Sequence, residues 1–274
     1  METKQLQKIA DTLRYEAVRM VWEGKDGHPG PALSIADIVT TLYFDEMNVD
    51  PDNPGWDDRD RFILSKGHAC PIIYAALNEK GYFKEKVEHF NLRALHSDFQ
   101  GHPVSHKTVG IDSTSGSLGN GIAIGAGMAL AGKFHKKDYR VFVIVGDGEL
   151  QEGVVWEGIN VATRHKLDNL IVFVDRNGWQ SGGSVEDVIG GNNVAQRIGA
   201  FGWHIIEIDG NDIDQIKKAL AEANSVKGKP IAIVADCIKG KGLDYMENDN
   251  AWHKGVPTDE QFRQAGLQLK GDAR

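Results

Sequence analysis

The sequence predicts an α/β fold in which a doubly wound, mostly parallel sheet carries helices on both of its faces. Two observations support this prediction. Apolar runs rich in β-branched side chains recur in the second half of the chain, at residues 139–145, 170–174, 204–208 and 231–235. Helical patterns lie between and after them, at residues 154–164, 194–201 and 213–223. Strands that are apolar on both faces are typical of a buried parallel sheet, and strand–helix alternation is typical of layered α/β proteins.

The remaining elements follow from local patterns of apolar spacing, turn residues and caps. In chain order we expect a helix at 6–21, a loop at 24–31, a helix capped by Ser34, a loop at 50–60, a strand at 61–64 and a further helix after residue 65. A C-terminal helix and tail are expected over 258–274. The whole chain, residues 1–274, is predicted to form a single domain.

Composition and charge exclude several classes of protein. The chain has 31 Lys and Arg against 39 Asp and Glu, a net charge of −8, and no basic stripe for nucleic acid. No apolar run reaches the roughly 18 residues of a membrane helix, and the N-terminus lacks a signal-peptide pattern. The two cysteines, Cys70 and Cys237, are far apart, which argues against a zinc ribbon or disulfide framework. We therefore expect a cytoplasmic protein that binds neither nucleic acid nor membranes.

Glycine is the compositional outlier, at 32 of 274 residues, whereas about 7% is usual. Only 8 prolines accompany it, so the excess is not a flexible linker rich in both residues. The glycines are therefore expected inside the fold, at tight turns or where the backbone comes close to a ligand.

Acidic residues lie at the ends of the predicted strands, at Asp147, Asp175, Asp209 and Asp236. In open parallel sheets, ligands bind beyond the carboxyl ends of the strands. Any chemistry is therefore expected near the first two of these residues.

The motif Gly146-Asp147-Gly148 directly follows one predicted strand, and Asn177 follows the next. Adjacent parallel strands would place Asp147 and Asn177 side by side. A carboxylate, an amide oxygen and a loop carbonyl suit Mg²⁺ or Ca²⁺, with phosphate oxygens completing the coordination. The alternative is that the motif is a plain turn and Asn177 a helix cap. The combination of the two elements favours the metal site.

A glycine-rich segment at 112–127 is expected to open a helix that runs to about Lys133. Free amides at the helix N-terminus would suit a diphosphate, and the glycine face would allow close packing against a second helix. No strand immediately precedes the segment, and its glycines do not form a clean GxGxxG, so a dinucleotide-binding fold has less support.

Four of the ten histidines lie in or beside loops of small residues, at His28, His68, His102 and His253. Each one alone would more often be a surface or structural histidine. Metal binding by His102 and His106 is disfavoured because Pro103 opposes the helix that would join them. A nucleophilic Cys70 has little support, since a buried thiol is the commoner outcome. We interpret these histidines as hydrogen-bonding groups for a polyhydroxylated or phosphorylated substrate.

A set of motifs spread over nearly the whole chain is more specific than any one of them. They are Gly27-His28-Pro29-Gly30, Ser65-Lys66-Gly67-His68-Ala69, Gly101-His102-Pro103, Ser115-Gly116-Ser117-Leu118-Gly119, Gly146-Asp147-Gly148-Glu149-Leu150-Gln151-Glu152-Gly153, Asp175-Arg176-Asn177, Lys239-Gly240-Lys241-Gly242 and Trp252-His253. In this order they closely resemble the N-terminal, diphosphate-binding part of transketolase, a thiamine diphosphate enzyme. Related thiamine enzymes share the Gly-Asp-Gly and Asn elements, whereas the Ser-Lys-Gly-His and Gly-His-Pro elements point to transketolase.

The resemblance implies a thiamine diphosphate-binding fold and a role for each matching residue. The metal, Mg²⁺ or else Ca²⁺ or Mn²⁺, would be held by Asp147, Asn177 and the backbone carbonyl of Trp179. The cofactor would be bound by His68, Gly116, Ser117, Leu118, Gly146, Asp147, Gly148 and Asn177. The catalytic group would comprise His28, His68, His102, His253 and Glu152. The histidines would contact the diphosphate region or the sugar, and Glu152 would lie in a carboxylate relay at a subunit interface.

The function implied by the resemblance is that of one subunit of a two-subunit transketolase, which transfers a two-carbon ketol unit from a ketose phosphate to an aldose. The pyrimidine-binding domain and its activating glutamate are expected on a separate C-terminal subunit, in a heterotetramer. One alternative is a cofactor-holding or regulatory subunit without catalysis. A nicotinamide-dependent dehydrogenase has less support. The sugar stays open, between a common pentose phosphate and a specialised branched or sulfonated one.

Overall fold

The computed structural model describes residues 1–190 and 193–271, and within these ranges a five-stranded sheet lies between two groups of helices. The helices are α1 (Thr3–Gly24), α2 (Pro29–Ser34), α3 (Ala36–Thr41), α4 (Cys70–Lys80), α5 (Asn120–Phe134), α6 (Gly153–Arg164), α7 (Val185–Ile189), α8 (Val194–Gly199), α9 (Ile213–Ser225) and α10 (Asp259–Lys270). The strands are β1 (Arg61–Leu64), β2 (Val141–Gly146), β3 (Leu170–Arg176), β4 (Trp179–Gln180), β5 (Gly183–Ser184), β6 (His204–Asp209) and β7 (Ile231–Asp236).

The main sheet has the order β1-β2-β3-β7-β6, and all of its pairs are parallel. Alternate residues of a strand face opposite sides of the sheet. In β2, Phe142 and Ile144 pack into the core with α1, α3, α4 and α9, whereas Val143 and Val145 pack into the core with α5, α6 and α8. Helices therefore cover both faces, and the predicted fold class is confirmed.

Strand β6 departs from the predicted burial pattern. Its residues Ile206 and Ile208 are buried, but Glu207 and Asp209 are exposed. The expectation of a strand buried on both faces is wrong here, because β6 lies at the edge of the sheet and has a strand neighbour on one side only.

The helix predicted to follow a Ser34 cap is α3, whose N-cap is Ile35 instead, and a short helix that was not predicted, α2, precedes it. Pro29 is the first residue of α2, and the expected loop over 24–31 shortens accordingly. A proline suits this position because its φ matches the helix and its missing N–H is not needed in the first turn. Ser34 is the last residue of α2, and α3 follows after Ile35.

Some short elements were not predicted, and the two ends of the chain agree with expectation. The antiparallel β4–β5 hairpin has two residues in each strand, too few to give an apolar alternation, and α7 follows it. The C-terminal helix is α10, which begins after a capping box formed by Thr258 and Gln261. Residues 272–274 of the predicted tail lie outside the described residues. No helix among the described residues is both long and apolar enough to cross a membrane. That the whole chain forms one domain stays a prediction.

Close packing of α5 and α6 depends on Gly158 of α6. A Cβ atom built at Gly158 would lie 2.8 Å from Cγ2 of Ile122 and 3.0 Å from the backbone nitrogen of Ala123. Within α5, Gly125 instead faces the sheet, where a Cβ would lie 2.7 Å from Cγ2 of Val143. Gly158 of α6 therefore allows α5 and α6 to pack closely, whereas Gly125 of α5 allows α5 to pack closely on β2.

We expect Gly158→Ala to destabilise the fold by about 1–3 kcal/mol, because α5 and α6 would have to move apart. The matched control is Gly127→Ala on α5, where a Cβ would meet nothing within 4 Å. That substitution is expected to stabilise the chain by up to about 1 kcal/mol, since alanine has the higher helix propensity. Urea unfolding of the two purified variants measures both changes. Equal effects of the two substitutions would contradict this account of the packing.

Candidate active site

A cavity of about 440 Å³ opens at the carboxyl ends of β2 and β3. Gly146 and Asp147 line it from the end of β2, and Asn177 lines it just after β3. The β4–β5 hairpin contributes Trp179 and Gln180. The cavity therefore lies where the strand-end pattern predicted the chemistry.

Nearly all of the residues singled out from the sequence line this cavity. They are His28, His68, His102, Gly116, Leu118, Gly146, Asp147, Gly148, Glu152, Asn177, Trp179 and His253. Ser117 is the exception, because it lines a neighbouring depression with Ser115 and Ile124. Since Gly116 and Leu118 line the cavity on either side of it, Ser117 faces the other side of the loop. Its position gives no support to a cofactor contact by its side chain.

Asp147 is a buried carboxylate held by backbone amides. Its Oδ1 accepts a hydrogen bond from the nitrogen of Gly148 at 2.8 Å, and its Oδ2 accepts one from the nitrogen of Gly178 at 2.7 Å. Burial raises the pKa of Asp147 to about 6, with a further contribution from the charge of Asp175. The amides and the charge of Lys66 oppose this shift only in part. A cation at this carboxylate would supply the missing compensation.

Asn177 lies beside Asp147 because β2 and β3 pair with Gly146 opposite Asp175. The Nδ2 group of Asn177 donates to Oδ2 of Asp175 at 2.6 Å, and its Oδ1 accepts from the nitrogen of Trp179 at 3.1 Å. The predicted juxtaposition of a carboxylate and an amide oxygen is therefore present.

A buried ion pair lies next to Asn177. Asp175 is 0% exposed and pairs with Lys66, which is 2% exposed. Nζ of Lys66 also donates to the carbonyl oxygen of Pro31 at 2.8 Å, and Oγ of Ser34 donates to Oδ2 of Asp175 at 2.8 Å. The pair thus connects helix α2 to the end of β3.

The start of α5 differs from the prediction. Helix α5 begins only at Asn120, and the nitrogen of Gly119 donates to Oε1 of Glu149 at 2.7 Å. The nitrogen of Gly121 donates to Oγ of Ser65 at 3.1 Å, and Ser65 in turn donates to Glu149. The expectation of free amides for a diphosphate is therefore wrong for these two groups, because a buried carboxylate of the same chain engages this end of the helix.

Three histidines form a cluster in the cavity, with ring centroids 5.2 Å apart for His28 and His68, 5.2 Å for His68 and His253, and 5.8 Å for His28 and His253. His102 packs against Gly116, where a Cβ would lie 3.1 Å from Cγ of the ring. Gly116 also has a φ of +141°, a conformation that side chains rarely adopt.

Burial is the largest cause that lowers the pKa of all four histidines. The pKa of His28 falls to about 4 and that of His253 to about 3, while the pKa of His68 is well below its ordinary value. Neighbouring positive charges add to these shifts, in particular Arg93 beside His28 and His102. The four imidazoles are therefore neutral at pH 7.

Two cationic side chains fix which ring nitrogen carries the proton. Nζ of Lys239 lies 3.1 Å from Nδ1 of His253, and Nη2 of Arg93 lies 3.5 Å from Nδ1 of His28. Lysine and arginine only donate, so Nδ1 of each imidazole accepts and its Nε2–H is left as a donor. Lys239 is fully buried, and burial followed by the charge of Lys66 lowers its pKa to about 8.

Comparison with known proteins decides the family. Residues 5–269 match the model of the transketolase, thiamine diphosphate binding domain. The chain belongs to this transketolase family. It is 38% identical to one of the named subunits of apulose-4-phosphate transketolase from Phocaeicola vulgatus over 265 residues, which are 97% of this chain and 94% of that protein. It is 39% identical to the 6-deoxy-6-sulfo-D-fructose transketolase subunit SqwG of Clostridium sp. (strain MSTE9) over 270 residues, which are 97% of this chain and 96% of that protein.

Longer transketolases contain the same fold as one part of their chain. The structure of transketolase from Campylobacter jejuni matches with a TM-score of 0.93 and 34% identity, over 100% of this chain and 44% of that one. Human transketolase is 38% identical over 273 residues, which are 97% of this chain and 42% of that protein. The chain thus spans less than half the length of these relatives.

The residues of this transketolase domain fit thiamine diphosphate and a divalent cation. Asp147 and Asn177 both line the cavity, and the buried Asp147 lacks a directly bonded cation among the described residues. Those residues contain no group of three or more His, Cys, Asp or Glu side chains placed to hold a metal. The remaining ligands would therefore come from a backbone carbonyl and from phosphate oxygens, and Trp179 lines the cavity beside Asn177.

Some residues of the transketolase site were missed. Lys66 lines the cavity and Lys239 supports His253, and both lie in motifs that carried the resemblance. The available signal was a lysine within a short apolar or glycine-rich motif. Lysines are seldom buried without a partner, so a lysine in such a motif indicates a buried ion pair or hydrogen bond. Gln180 lines the cavity and accepts a hydrogen bond from Gln151 of the Gly146–Gly153 motif, and no sequence pattern marked Gln180. Cys70 is buried with its pKa raised to about 12, which agrees with a structural thiol.

The stability of the cofactor-free chain is expected to fall as the pH is lowered from 7 to 5. The unfolded chain binds protons at histidine near the ordinary pKa of 6.5, whereas His28 and His253 in the fold bind them only near 4 and 3. Above about pH 6.5 these histidines are neutral in both the folded and the unfolded chain. Below that pH only the unfolded chain takes up protons at them, so the free energy of unfolding falls progressively. A His28→Asn/His253→Asn double variant should show a weaker pH dependence of the melting temperature.

The matched control for this measurement is His135→Asn, at an exposed histidine after the C-terminal end of α5. The comparison uses differences between melting curves, so other titrating groups cancel. Parallel curves for the double variant and the unmodified chain, from pH 7 to pH 5, would contradict the assignment of buried neutral histidines.

Proposed function

We propose that this chain is the thiamine diphosphate-holding subunit of a two-subunit transketolase. In this proposal the assembled enzyme transfers a two-carbon ketol unit from a ketose phosphate to an aldose acceptor, and a separate C-terminal subunit is required for activity. The two relatives matched over 94% and 96% of their length are both named as transketolase subunits, which supports this interpretation.

One observation carries the proposal. A single cavity at the strand ends combines the oxygen pair of Asp147 and Asn177 with four neutral histidines. An oxygen pair suits a cation that binds a diphosphate, and neutral imidazoles suit proton exchange with sugar hydroxyls near neutral pH. Transketolase chemistry needs both in one place.

The metal is inferred to be Mg²⁺, with Ca²⁺ or Mn²⁺ as substitutes, held by Asp147, Asn177 and the carbonyl oxygen of Trp179. The diphosphate would lie against His68, Gly116, Leu118, Gly146 and Gly148, which all line the cavity. Lys66 provides positive charge in the same lining, and burial of an anion needs such compensation.

Thiamine diphosphate, when bound, supplies the electron sink for breaking and forming the carbon–carbon bond. The histidines of the chain would orient the sugar and exchange its protons. His28 and His253 can donate from Nε2 to a hydroxyl or carbonyl oxygen, because their Nδ1 atoms are occupied by Arg93 and Lys239. We propose the same class of role for His102, and a contact of His68 with the diphosphate.

The proposed partner supplies the pyrimidine-binding domain and the glutamate that activates the cofactor, in a heterotetramer with two copies of each chain. Glu152 supports an interface at the cavity, because it is exposed there and its side chain forms no hydrogen bond or ion pair with the described residues.

Both cysteines, Cys70 and Cys237, are buried and unpaired, which supports the expected cytoplasmic location.

The proposed substrates are sugar phosphates. The named relatives act on apulose 4-phosphate and on 6-deoxy-6-sulfo-D-fructose, so a specialised sugar is as much in scope as a common pentose phosphate. Arg93 and Lys254 add positive charge close to His28, on the side of the cavity where the histidines cluster. An assay panel of ketose phosphates and one sulfonated ketose covers both cases.

The proposal predicts that Asp147→Asn abolishes ketol transfer in the reconstituted enzyme. We expect a loss of about 100-fold or more, because removal of an outer-sphere partner of a metal already costs 10–100-fold. The complementary subunit is sought as the product of the neighbouring reading frame and is first tested by co-purification. Product formation is then measured with Mg²⁺ and thiamine diphosphate.

The matched control is Asp236→Asn, at a strand-end aspartate of β7 that does not line the cavity and pairs with Arg176 at the surface. Its activity should stay close to that of the unmodified enzyme. Unchanged turnover of Asp147→Asn would favour the regulatory alternative. Enzyme-like turnover by this chain alone would rule out the two-subunit arrangement.

A further inference from the structure

We propose that Asp175 is the positioning residue that turns the carboxamide of Asn177 so that its oxygen faces the cation, and that Lys66 holds Asp175 in place. This inference rests on the function proposed above, in which Asn177 is a metal ligand. It assigns a task to Asp175, which has no other role in the proposed site.

The orientation of Asn177 matters because its amide has an oxygen and an NH₂ group at similar positions, and only the oxygen can bind a cation. Two contacts select one orientation. Nδ2 donates to the carboxylate of Asp175 at 2.6 Å, and Oδ1 accepts from the nitrogen of Trp179 at 3.1 Å. A reversed amide would set oxygen against carboxylate and N–H against N–H. The carboxylate contact is the stronger of the two because one partner is charged.

The oxygen of Asn177 remains able to bind a cation in this arrangement. A carbonyl oxygen has two lone pairs, and the hydrogen bond from Trp179 uses one of them. Asn177 lines the cavity and lies next to Asp147, whose carboxylate is the other proposed side-chain ligand. The selected orientation therefore leaves an oxygen for the shared cation.

Asp175 is itself held rigidly by two other parts of the fold. Lys66, from the segment between β1 and α4, forms the ion pair, and Ser34 of α2 donates to the same oxygen at 2.8 Å. Side chains of this pair are 3% exposed at most. Asp175 does not line the cavity, so its contact with the proposed ligand set is the hydrogen bond from Asn177.

A second buried ion pair of the chain has the same design and no contact with the cavity. Arg14 pairs with Asp37, and Nδ2 of Asn211 donates to Oδ2 of Asp37 at 3.0 Å. The side chains of Arg14 and Asp37 are 2% and 1% exposed. Asn211 does not line the cavity, so this pair provides a matched control for the loss of a buried ion pair.

The test measures Mn²⁺ binding to the reconstituted complex of this chain with its partner subunit in the presence of thiamine diphosphate, with free Mn²⁺ counted by electron paramagnetic resonance. Lys66→Met/Asp175→Leu removes the acceptor for Asn177 and leaves no unpaired buried charge. Apolar residues of similar volume often replace a buried ion pair without loss of the fold. We expect Mn²⁺ affinity to fall by about 10–100-fold, the usual cost of losing a residue that orients a ligand.

Lys66→Met/Asp175→Asn is the rescue variant. The carbonyl oxygen of the asparagine at position 175 can still accept from Nδ2 of Asn177, so the amide keeps its orientation without the ion pair. This variant should recover most of the lost affinity. Because both double variants lack Lys66, the difference between them reports only the acceptor at position 175.

The control pair, Arg14→Met/Asp37→Leu, should change the free energy of unfolding but leave Mn²⁺ affinity unchanged. Urea unfolding of every variant establishes that each is folded. The proposal is overturned if Lys66→Met/Asp175→Leu binds Mn²⁺ as the unmodified chain does, or if the asparagine variant binds no better than the leucine variant. If the complex that contains the unmodified chain fails to bind Mn²⁺, or the complex with Asp147→Asn binds it equally well, the metal site itself fails and the proposed function with it.

Discussion

The parallel pairing of β2 with β3 is the constraint on which the rest of the site depends. Its register sets Gly146 opposite Asp175, so the residues after each strand emerge together at one edge of the sheet. The nitrogen of Asp147 donates to the carbonyl oxygen of Asp175 at 3.1 Å, and Gly178 donates to the Asp147 side chain. A slip of one residue would turn each side chain of one strand to the opposite face. The two cores prevent this, because alternate residues of both strands fill them.

Burial of charge is the second constraint, and the chain compensates it unevenly. Asp175 has Lys66 as its counter-ion, and Glu149 has Ser65 and backbone amides as donors. Among the described residues Asp147 receives only amide donors, and its pKa is raised accordingly. A buried carboxylate without a counter-ion is unfavourable. The carboxylate that the structure leaves least compensated is therefore the one at which a cation would be most stabilising.

The sequence permits prediction of features that depend on local periodicity, and fails for those that join distant elements. The strand β1 at Arg61–Leu64 was predicted with its bounds, and the proximity of Asp147 and Asn177 followed from parallel pairing alone. The ion pair between Lys66 and Asp175 joins residues that are 109 positions apart in the sequence, and no rule of residue spacing predicts it. The free helix N-terminus was a local expectation that failed for the same reason, because Glu149 reaches it from 30 positions away. Ser117 was placed by its motif, but the side to which it turns depends on the path of the loop.

Glycines serve two different physical purposes in this fold. Gly116 has a φ that other residues rarely adopt, beside the ring of His102. Gly125 serves instead by the absence of a side chain, which lets α5 approach β2 closely. The position of α5 on the sheet sets the position of the Gly119 amide just before the helix. Glu149 accepts from this amide with Oε1, and from the nitrogen of Gly146 with Oε2 at 3.0 Å. Because Gly146 precedes Asp147, close packing of a helix on the sheet is coupled through Glu149 to the position of the proposed metal ligand. Gly125, which does not line the cavity, therefore contributes to its geometry through packing and not through ligand contact.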